Sequence, residues 1–283
     1  MRIDLHTHSN TSDGTQTPTE LVEAAKAAGL DVVALTDHDT FDGIPEAQRA
    51  ADEVGIHLVH GMEMSCRHDG HSVHLLAYGA DPHDAALAAE LDRIREGRTG
   101  RLGPVLEKLE ELGVGVTEEQ VRAQVGDSPS VGRPHIADAM VAAGHVRDRT
   151  EAFNRFLADG GPAHVPRHAA AVEQAIDLVH GAGGAAVLAH PWGRGRQEQL
   201  TADFIARLAH EHGLDGIEVD HQDHDQHARQ LLRILAGDNG LVMTGSSDHH
   251  GLGKVDHELG CNTTAEDQFS ELMSRVEVHA ARR

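Results

Sequence analysis

Residues 2–36 read RIDLHTHSNTSDGTQTPTELVEAAKAAGLDVVALT and contain one complete structural unit. A short apolar run, Ile3 to Leu5 around Asp4, gives way to a polar loop. Thr17 then offers an N-cap, Pro18 a first-turn proline and Glu20 the acid of a capping box, and Gly29 supplies the stop. A second apolar run, VVALT at 32–36, follows. The order strand, helix, strand recurs along the chain. Further runs are HLVHG at 57–61, SVHLLAYG at 72–79, AAVLA at 185–189, GIEV at 216–219 and LVMTG at 241–245. Helical segments IPEAQRAADEVG, AAVEQAIDLVHGAGG and HARQLLRILAGDNG stand between several of them. Such alternation predicts a parallel α/β sheet, open or closed. From about Asp92 to Pro166 no strand pattern occurs, and helical pieces such as GRLGPVLEKLEELG and HIADAMVAAG follow one another. The expected organisation is an α/β body from residues 1–92 and 167–283, carrying a helical insertion over 93–166.

Bulk composition narrows the function. Apolar residues make up 39% of the 283 and aromatics only 2%, so the core must come from Ala, Val, Leu and Ile. No run approaches the roughly 18 apolar residues of a membrane span, and the N-terminus lacks a signal peptide's basic and apolar regions. A cytoplasmic location with no membrane partner is expected. Cys66 and Cys261 are solitary and read as reduced, buried thiols. The formal charge of −22 repels long duplex nucleic acid. A small anionic substrate fits if metal ions or a few arginines reverse the sign locally.

The histidines carry the chemical signal. His6 and His8 lie two apart in an extended segment, where i and i+2 project to the same side. With 24 histidines, roughly two such spacings arise by chance. The other, His210 and His212, falls in FIARLAHEHGL, which reads as a helix whose i and i+2 positions diverge. Position on the scaffold is what separates the two pairs. His6 and His8 follow the first run, Asp37 and His38 the second, and Glu63 the third. His190 follows the fifth, Asp220 and His221 the sixth, and Asp248, His249 and His250 the seventh. His74 alone lies within its run. Candidate ligands thus gather at the rim where α/β sheets build active sites. Imidazole and carboxylate donors without thiolate suit Zn, Mn, Fe or Co, and one carboxylate can bridge two ions about 3.5–4 Å apart. Asp4 and Asp37 are expected to orient ligand histidines. His57, His60, His180, His210, His212 and His279 read as ordinary half-buried or solvated side chains. His221, His224 and His227 read as either a solvated acidic loop or an additional site.

Taken in order, DLHTHSNTSDG, ALTDHDT, HGMEMS, VHLLAYG, VLAHP and GSSDHHG, with GRPHIAD in the insertion, resemble the signature segments of the PHP (polymerase and histidinol phosphatase) metallo-phosphoesterase family. The resemblance spans nearly the whole chain and points to the stand-alone branch with a helical insertion. It implies a distorted seven-stranded (β/α) barrel, TIM-like, holding two to three divalent transition metals (Mn, Zn or Fe). By motif, His6, His8, Glu63 and Asp248 would hold the first ion. Glu63 would bridge to a second held by His74 and His190, and Asp13, His38 and His250 would hold a third. Glu63, His190 and Asp248 would be the catalytic core. Branch members hydrolyse nucleoside monophosphates, 3′,5′-bisphosphates or short RNA ends, and there the Arg and His of the RPH segment contact substrate phosphate. Arg133 and His135 inherit that role. His164 stands in PAHVP, where relatives often carry PAYVP, and would lie at the pocket wall. The implied reaction is hydrolysis of a phosphomonoester of a small nucleotide-like substrate by a metal-bridging hydroxide, with a metal-bound water or His164 protonating the leaving group. A short-RNA 5′-exonuclease is a variant of this reading. An amidohydrolase-type metal hydrolase and a non-catalytic metal-binding module are the alternatives.

Overall fold

In the computed structural model, which describes residues 1–125, 128 and 131–283, β1 (Ile3–Asp4) leads through a loop into α1 (Pro18–Ala27). The Thr17 hydroxyl accepts from the Glu20 N–H at 3.1 Å, and the Glu20 carboxylate accepts from the Thr17 N–H at 2.8 Å. This reciprocal cap satisfies two donors that a helix start leaves open. Gly29, at φ 76°, turns the chain into β2 (Val32–Leu35), which lies parallel to β1 with Ile3 opposite Val32. α2 (Ile44–Val54) and β3 (His57–His68) repeat the unit, and β3 is parallel to β2.

At this point the expected all-parallel order fails. β4 (His71–Tyr78) runs antiparallel to β3, with Ser65 opposite His74. Only Asp69 and Gly70 separate the strands, both at positive φ (46° and 81°). Two such residues form a tight hairpin turn, whereas a parallel return needs a crossover of a dozen residues or more. α3 (Ala85–Gly100), α4 (Leu102–Glu111), α5 (Glu118–Val125), α6 (Arg133–Ala142) and α7 (Arg149–Ala152) follow, the last running into a π-helical turn over Phe153–Leu157. The chain returns through β5 (Ala170–Ala171), which adds to the end of β3, and α8 (Val172–Gly181). β6 (Ala185–Leu188), α9 (Ala202–His212), β7 (Gly216–Asp220), α10 (Gln226–Asp238), β8 (Val242–Gly245) and α11 (Glu266–Arg282) complete it.

The strand order is β1-β2-β3-β4-β6-β7-β8, with β5 beside β3. The two ends nearly close: Thr7 bridges His249 in parallel, and the His8 N–H donates to the His249 carbonyl at 2.8 Å. The chain is therefore a distorted seven-stranded α/β barrel with a helical insertion. Strand parity divides its core. Ile3, Val32, Ala34, Val59, Leu76, Tyr78 and Val187 pack together inside, closed off by Phe269 and Leu272 of α11. Neighbouring residues of opposite parity, such as Val33, Leu35, Leu75 and Leu188, pack outward under the helices. Tyr78, the chain's one tyrosine, is fully buried and donates to the Leu5 carbonyl at 2.8 Å. The insertion carries its own apolar cluster, including Leu102, Leu109, Val121, Ile136, Met140 and Leu157, whereas Leu87, Leu91 and Ile94 of α3 pack with the barrel. Among the described residues no helix is long and apolar enough to cross a membrane.

Candidate metal centre

Above the apolar floor of the barrel the inward positions turn polar. Glu63 keeps the inward parity of Val59, and Ser65 follows it two residues on. The antiparallel sense of β4 explains why His74 precedes the end of its run: the beginning of β4 lies at the same rim as the ends of its neighbours. Opposite Ser65 and diagonal to Glu63, His74 brings Nδ1 to 2.9 Å from Glu63 Oε1.

All nine candidate ligands meet here. His6 Nε2 and His8 Nε2 lie 3.0 Å apart, 3.3 and 3.2 Å from Glu63 Oε2, and 3.5 and 3.4 Å from Asp248 Oδ1. Those separations match donors surrounding a divalent first-row ion at about 2.0–2.2 Å. Glu63 Oε1 faces the other way, toward His74 Nδ1 and, at 3.1 Å, His190 Nε2. A third group sets His250 Nε2 3.2 Å from Asp13 Oδ1 and His38 Nε2 3.8 Å from Asp13 Oδ2, with His38 Nδ1 3.1 Å from Glu63 Oε2. The residues fit metal ions on a second count: buried His38 Nδ1 and His74 Nδ1 have no hydrogen-bond partner among the described residues although a Glu63 oxygen is close to each. Their lone pairs or protons converge on shared space rather than on one another.

The electrostatics agree. Burial disfavours protons on His6 and His8, yet Glu63 and Asp248 hold His6 well above its usual range and His8 up to about 9. At His38, His190 and His250 burial prevails, pushing them down to about 3, 4 and 3. Burial would raise the Glu63 carboxyl, but His38, His74 and His6 hold it well below the usual range. A cation entering this set displaces protons from His6 and His8, as ligation requires. The backbone is strained at the same place. His190 and Asp248 sit at φ 28° and 52°, and Asp39, next to His38, at 55°. Each such residue costs on the order of 1–3 kcal/mol and persists only where its surroundings hold it.

Sequence reasoning missed Glu218. It is fully buried in β7; Oε1 lies 3.2 Å from His6 Nδ1, Oε2 accepts from the His190 N–H at 2.8 Å, and the Ser246 hydroxyl donates to it. It thereby aims His6 Nε2 at the centre. The available signal was an acid inside the apolar run GIEV. His221, left open between two readings, is buried: Nδ1 accepts from the Asp223 N–H at 3.0 Å, which leaves Nε2 to donate to Asp248 Oδ2 at 3.2 Å. Lys254 also pairs with Asp248. His224 is structural, donating to the Val219 carbonyl and accepting from the Trp192 N–H, and His227 is exposed. Asp4 and Asp37 hold loops rather than imidazoles. Asp4 accepts from the Ser247 and Gly260 N–H groups, and Asp37 from Ser9 and the Ser12 hydroxyl. They fix the loops that carry Asp248 and Asp13.

The centre opens into a cleft of about 1380 Å³ between the barrel rim and the insertion. Arg133 lines it at the start of α6, donating to Asp159 at 2.7 Å and to the Leu157 carbonyl at 2.9 Å. His135 is buried and accepts from the Gly132 N–H at 3.0 Å. His164 lies 3.7 Å from Asp159. At the other end of the barrel His180 and His279 both donate to Asp215, a fully satisfied group with Arg275 beside it.

Comparison with known proteins places this arrangement. A PHP domain matches residues 4–96. The chain is 37% identical to a 3′,5′-nucleoside bisphosphate phosphatase of Chromobacterium violaceum, over 91% of this chain and 90% of that protein. It is 36% identical to a 5′-3′ exoribonuclease of Haemophilus influenzae, over 88% and 90% respectively. A Bifidobacterium adolescentis protein assigned as a metal-dependent phosphoesterase superposes with a TM-score of 0.91, at 36% identity and 96% coverage of both chains.

Proposed function

This chain belongs to the PHP family, and from that premise we propose that it hydrolyses phosphomonoesters of small nucleotides, nucleoside 3′,5′-bisphosphates or monophosphates, using two to three divalent transition metals at the barrel rim. The carrying observation is Glu63. Its two oxygens face two different sets of histidines, which is what a bridging ligand requires. His6, His8, Glu63, Asp248, His74 and His190, and Asp13, His38 and His250, would hold the divalent ions, which would supply Lewis-acid charge and an activated water at neutral pH.

The chain's own residues do the rest. Glu218 and His221 hold His6 and Asp248 in place. Arg133, fixed by Asp159, offers cationic N–H donors to the charge on the phosphoryl oxygens. His135 supports the α6 start from which Arg133 projects, and His164 stands close enough to Asp159 to tune that pair. The 93–166 insertion acts as a cap that brings these groups over the rim. Cys66 is buried as expected, whereas Cys261 is exposed rather than buried; both are free thiols, in keeping with a reducing, cytoplasmic setting.

The test is a panel of nucleoside 3′,5′-bisphosphates, nucleoside monophosphates, a 5′-phosphorylated RNA oligomer and p-nitrophenyl phosphate, assayed for released phosphate or nucleotide with Mn, Zn, Fe or Co. Turnover of small nucleotides above the aryl ester supports the reading. Preference for the oligomer assigns the protein to the exoribonuclease variant. Amide or lactone turnover without phosphate release would instead restore the amidohydrolase alternative.

A further inference from the structure

The helical insertion has an apolar cluster of its own, separate from those of the barrel. A unit of that kind moves against its neighbour unless specific contacts hold it. Arg149, the first residue of α7, makes such a contact with the loops that carry metal ligands. Its Nε and Nη2 groups donate to the two carboxylate oxygens of Asp138 on α6, each at 2.6 Å. That bidentate pair fixes the plane of the guanidinium within the insertion. Nη1 then donates across to the barrel, to the Asp13 carbonyl at 3.2 Å.

His135 lies three residues before Asp138 on the same face of α6 and turns to the same loop. Its Nδ1 accepts from the Gly132 N–H at 3.0 Å, so Nε2 carries the ring proton and presents it toward the Ser12 carbonyl. The two carbonyls that flank the Asp13 α-carbon thus both face side chains of the insertion. The barrel holds this loop at other points, through Asp37 on the Ser9 N–H and the Ser12 hydroxyl. The loop after β8 meets Arg149 from the opposite side. A methyl group at Gly253 would collide with the guanidinium, at Nη1 first. The Gly253 and Thr15 N–H groups both donate to the His250 carbonyl, at 3.1 and 3.2 Å. Asp13 and His250 belong to the third ligand group, with Asp13 Oδ1 3.2 Å from His250 Nε2. The guanidinium therefore bonds to the backbone of one of these ligands and packs against the loop that presents the other.

We propose that Arg149, clamped by Asp138, is a positioning residue that sets the affinity of the ion Asp13, His38 and His250 would hold. Loading of that ion and seating of the insertion then depend on each other, because coupling between two equilibria is reciprocal. This rests on the metal-dependent reading of the rim, and adds that one ion answers to a group outside the barrel. Charge and position act in opposite senses at Arg149. Removing a cation beside an ion site tightens binding if charge alone matters. Removing the clasp weakens it, because the Asp13 loop is no longer held ready.

The experiment titrates full-length wild type, Arg149→Met, Arg149→Lys and Gly253→Ala with Mn from the chelated state and counts ions bound per chain. Asp13→Asn identifies the ion concerned, and the Asp13→Asn/Arg149→Met double variant tests whether both changes act on it. In Arg149→Met the weakest-bound ion should lose on the order of 10- to 100-fold in affinity, as when a group that orients a ligand is removed, with the tighter ions unchanged. Arg149→Lys keeps the charge without the fork and should fall between. Gly253→Ala displaces the guanidinium from the barrel side, with the insertion's own residues intact, and should weaken the same ion. The double variant should bind as many ions as Asp13→Asn alone. Unchanged or tighter binding of the weakest ion in both Arg149→Met and Gly253→Ala overturns the proposal. Equal weakening of every ion also overturns it, by making Arg149 a structural residue. So does an Asp13→Asn variant that loses no ion. A wild type that binds no ion at all overturns the metal-dependent reading as well, which tells the two failures apart.

Discussion

Glu63→Gln should cost more than about 100-fold in kcat/KM and lower the metal bound per chain, whereas Glu218→Gln should cost on the order of 10- to 100-fold. The two carboxylates are equally buried and lie at the same rim, so the contrast isolates their roles. Glu63 presents Oε2 to His6 and His8 and Oε1 to His74 and His190. An amide there keeps the shape but loses the charge that two ions share. Glu218 touches His6 through Nδ1, the nitrogen that faces away from the centre, and holds the His190 backbone N–H, so its loss loosens these two ligands but leaves the donor set intact. Metal content by elemental analysis and turnover of both variants check this. Wild-type metal content with near-normal turnover in Glu63→Gln would end the bridging assignment.

Stripping the metals should lower the melting temperature by on the order of 10 °C. Six histidines and three carboxylates are packed within a few ångströms, and in the absence of cations they are balanced by protons on His6 and His8, by Lys254 and by Arg149 beside Asp13. Ligand that binds only the native state adds about 4 kcal/mol at a thousandfold excess over Kd. For a chain of this size each kcal/mol moves the midpoint by roughly 2–4 °C. Thermal melts with and without chelator, and after re-addition of Mn or Zn, measure the effect. An unchanged melting temperature in fully demetallated protein would show that the rim binds no ion tightly.

The barrel was legible because each inward strand ends in chemistry rather than in a turn: His6 and His8, His38, His190 and Asp248 follow their apolar runs directly. Strand direction was harder. Counting strands and helices favours a parallel sheet, but the Asp69-Gly70 pair between two β-rich runs is a hairpin signal, and it reverses β4. That reversal is what carries His74, the apparent exception, to the rim. Glu218 escaped because one acid in a short strand looks like an exposed position until the opposite face is known to be polar. The arginines that line the cleft were not readable beyond Arg133. Arg98, Arg101 and Arg167 are separated by up to 69 positions along the chain, and only the folding of the insertion over the barrel brings them together.

The most direct measurement is phosphate release from a nucleoside 3′,5′-bisphosphate by one preparation assayed three times: as purified, after exhaustive chelation, and after stepwise return of Mn, Zn or Fe with bound metal counted at each step. Turnover should vanish on chelation and return in proportion to metal bound at the rim. Turnover that persists in the metal-free protein, or that no divalent metal restores while the protein stays folded, would contradict the assignment of this chain as a metal-dependent nucleotide phosphatase.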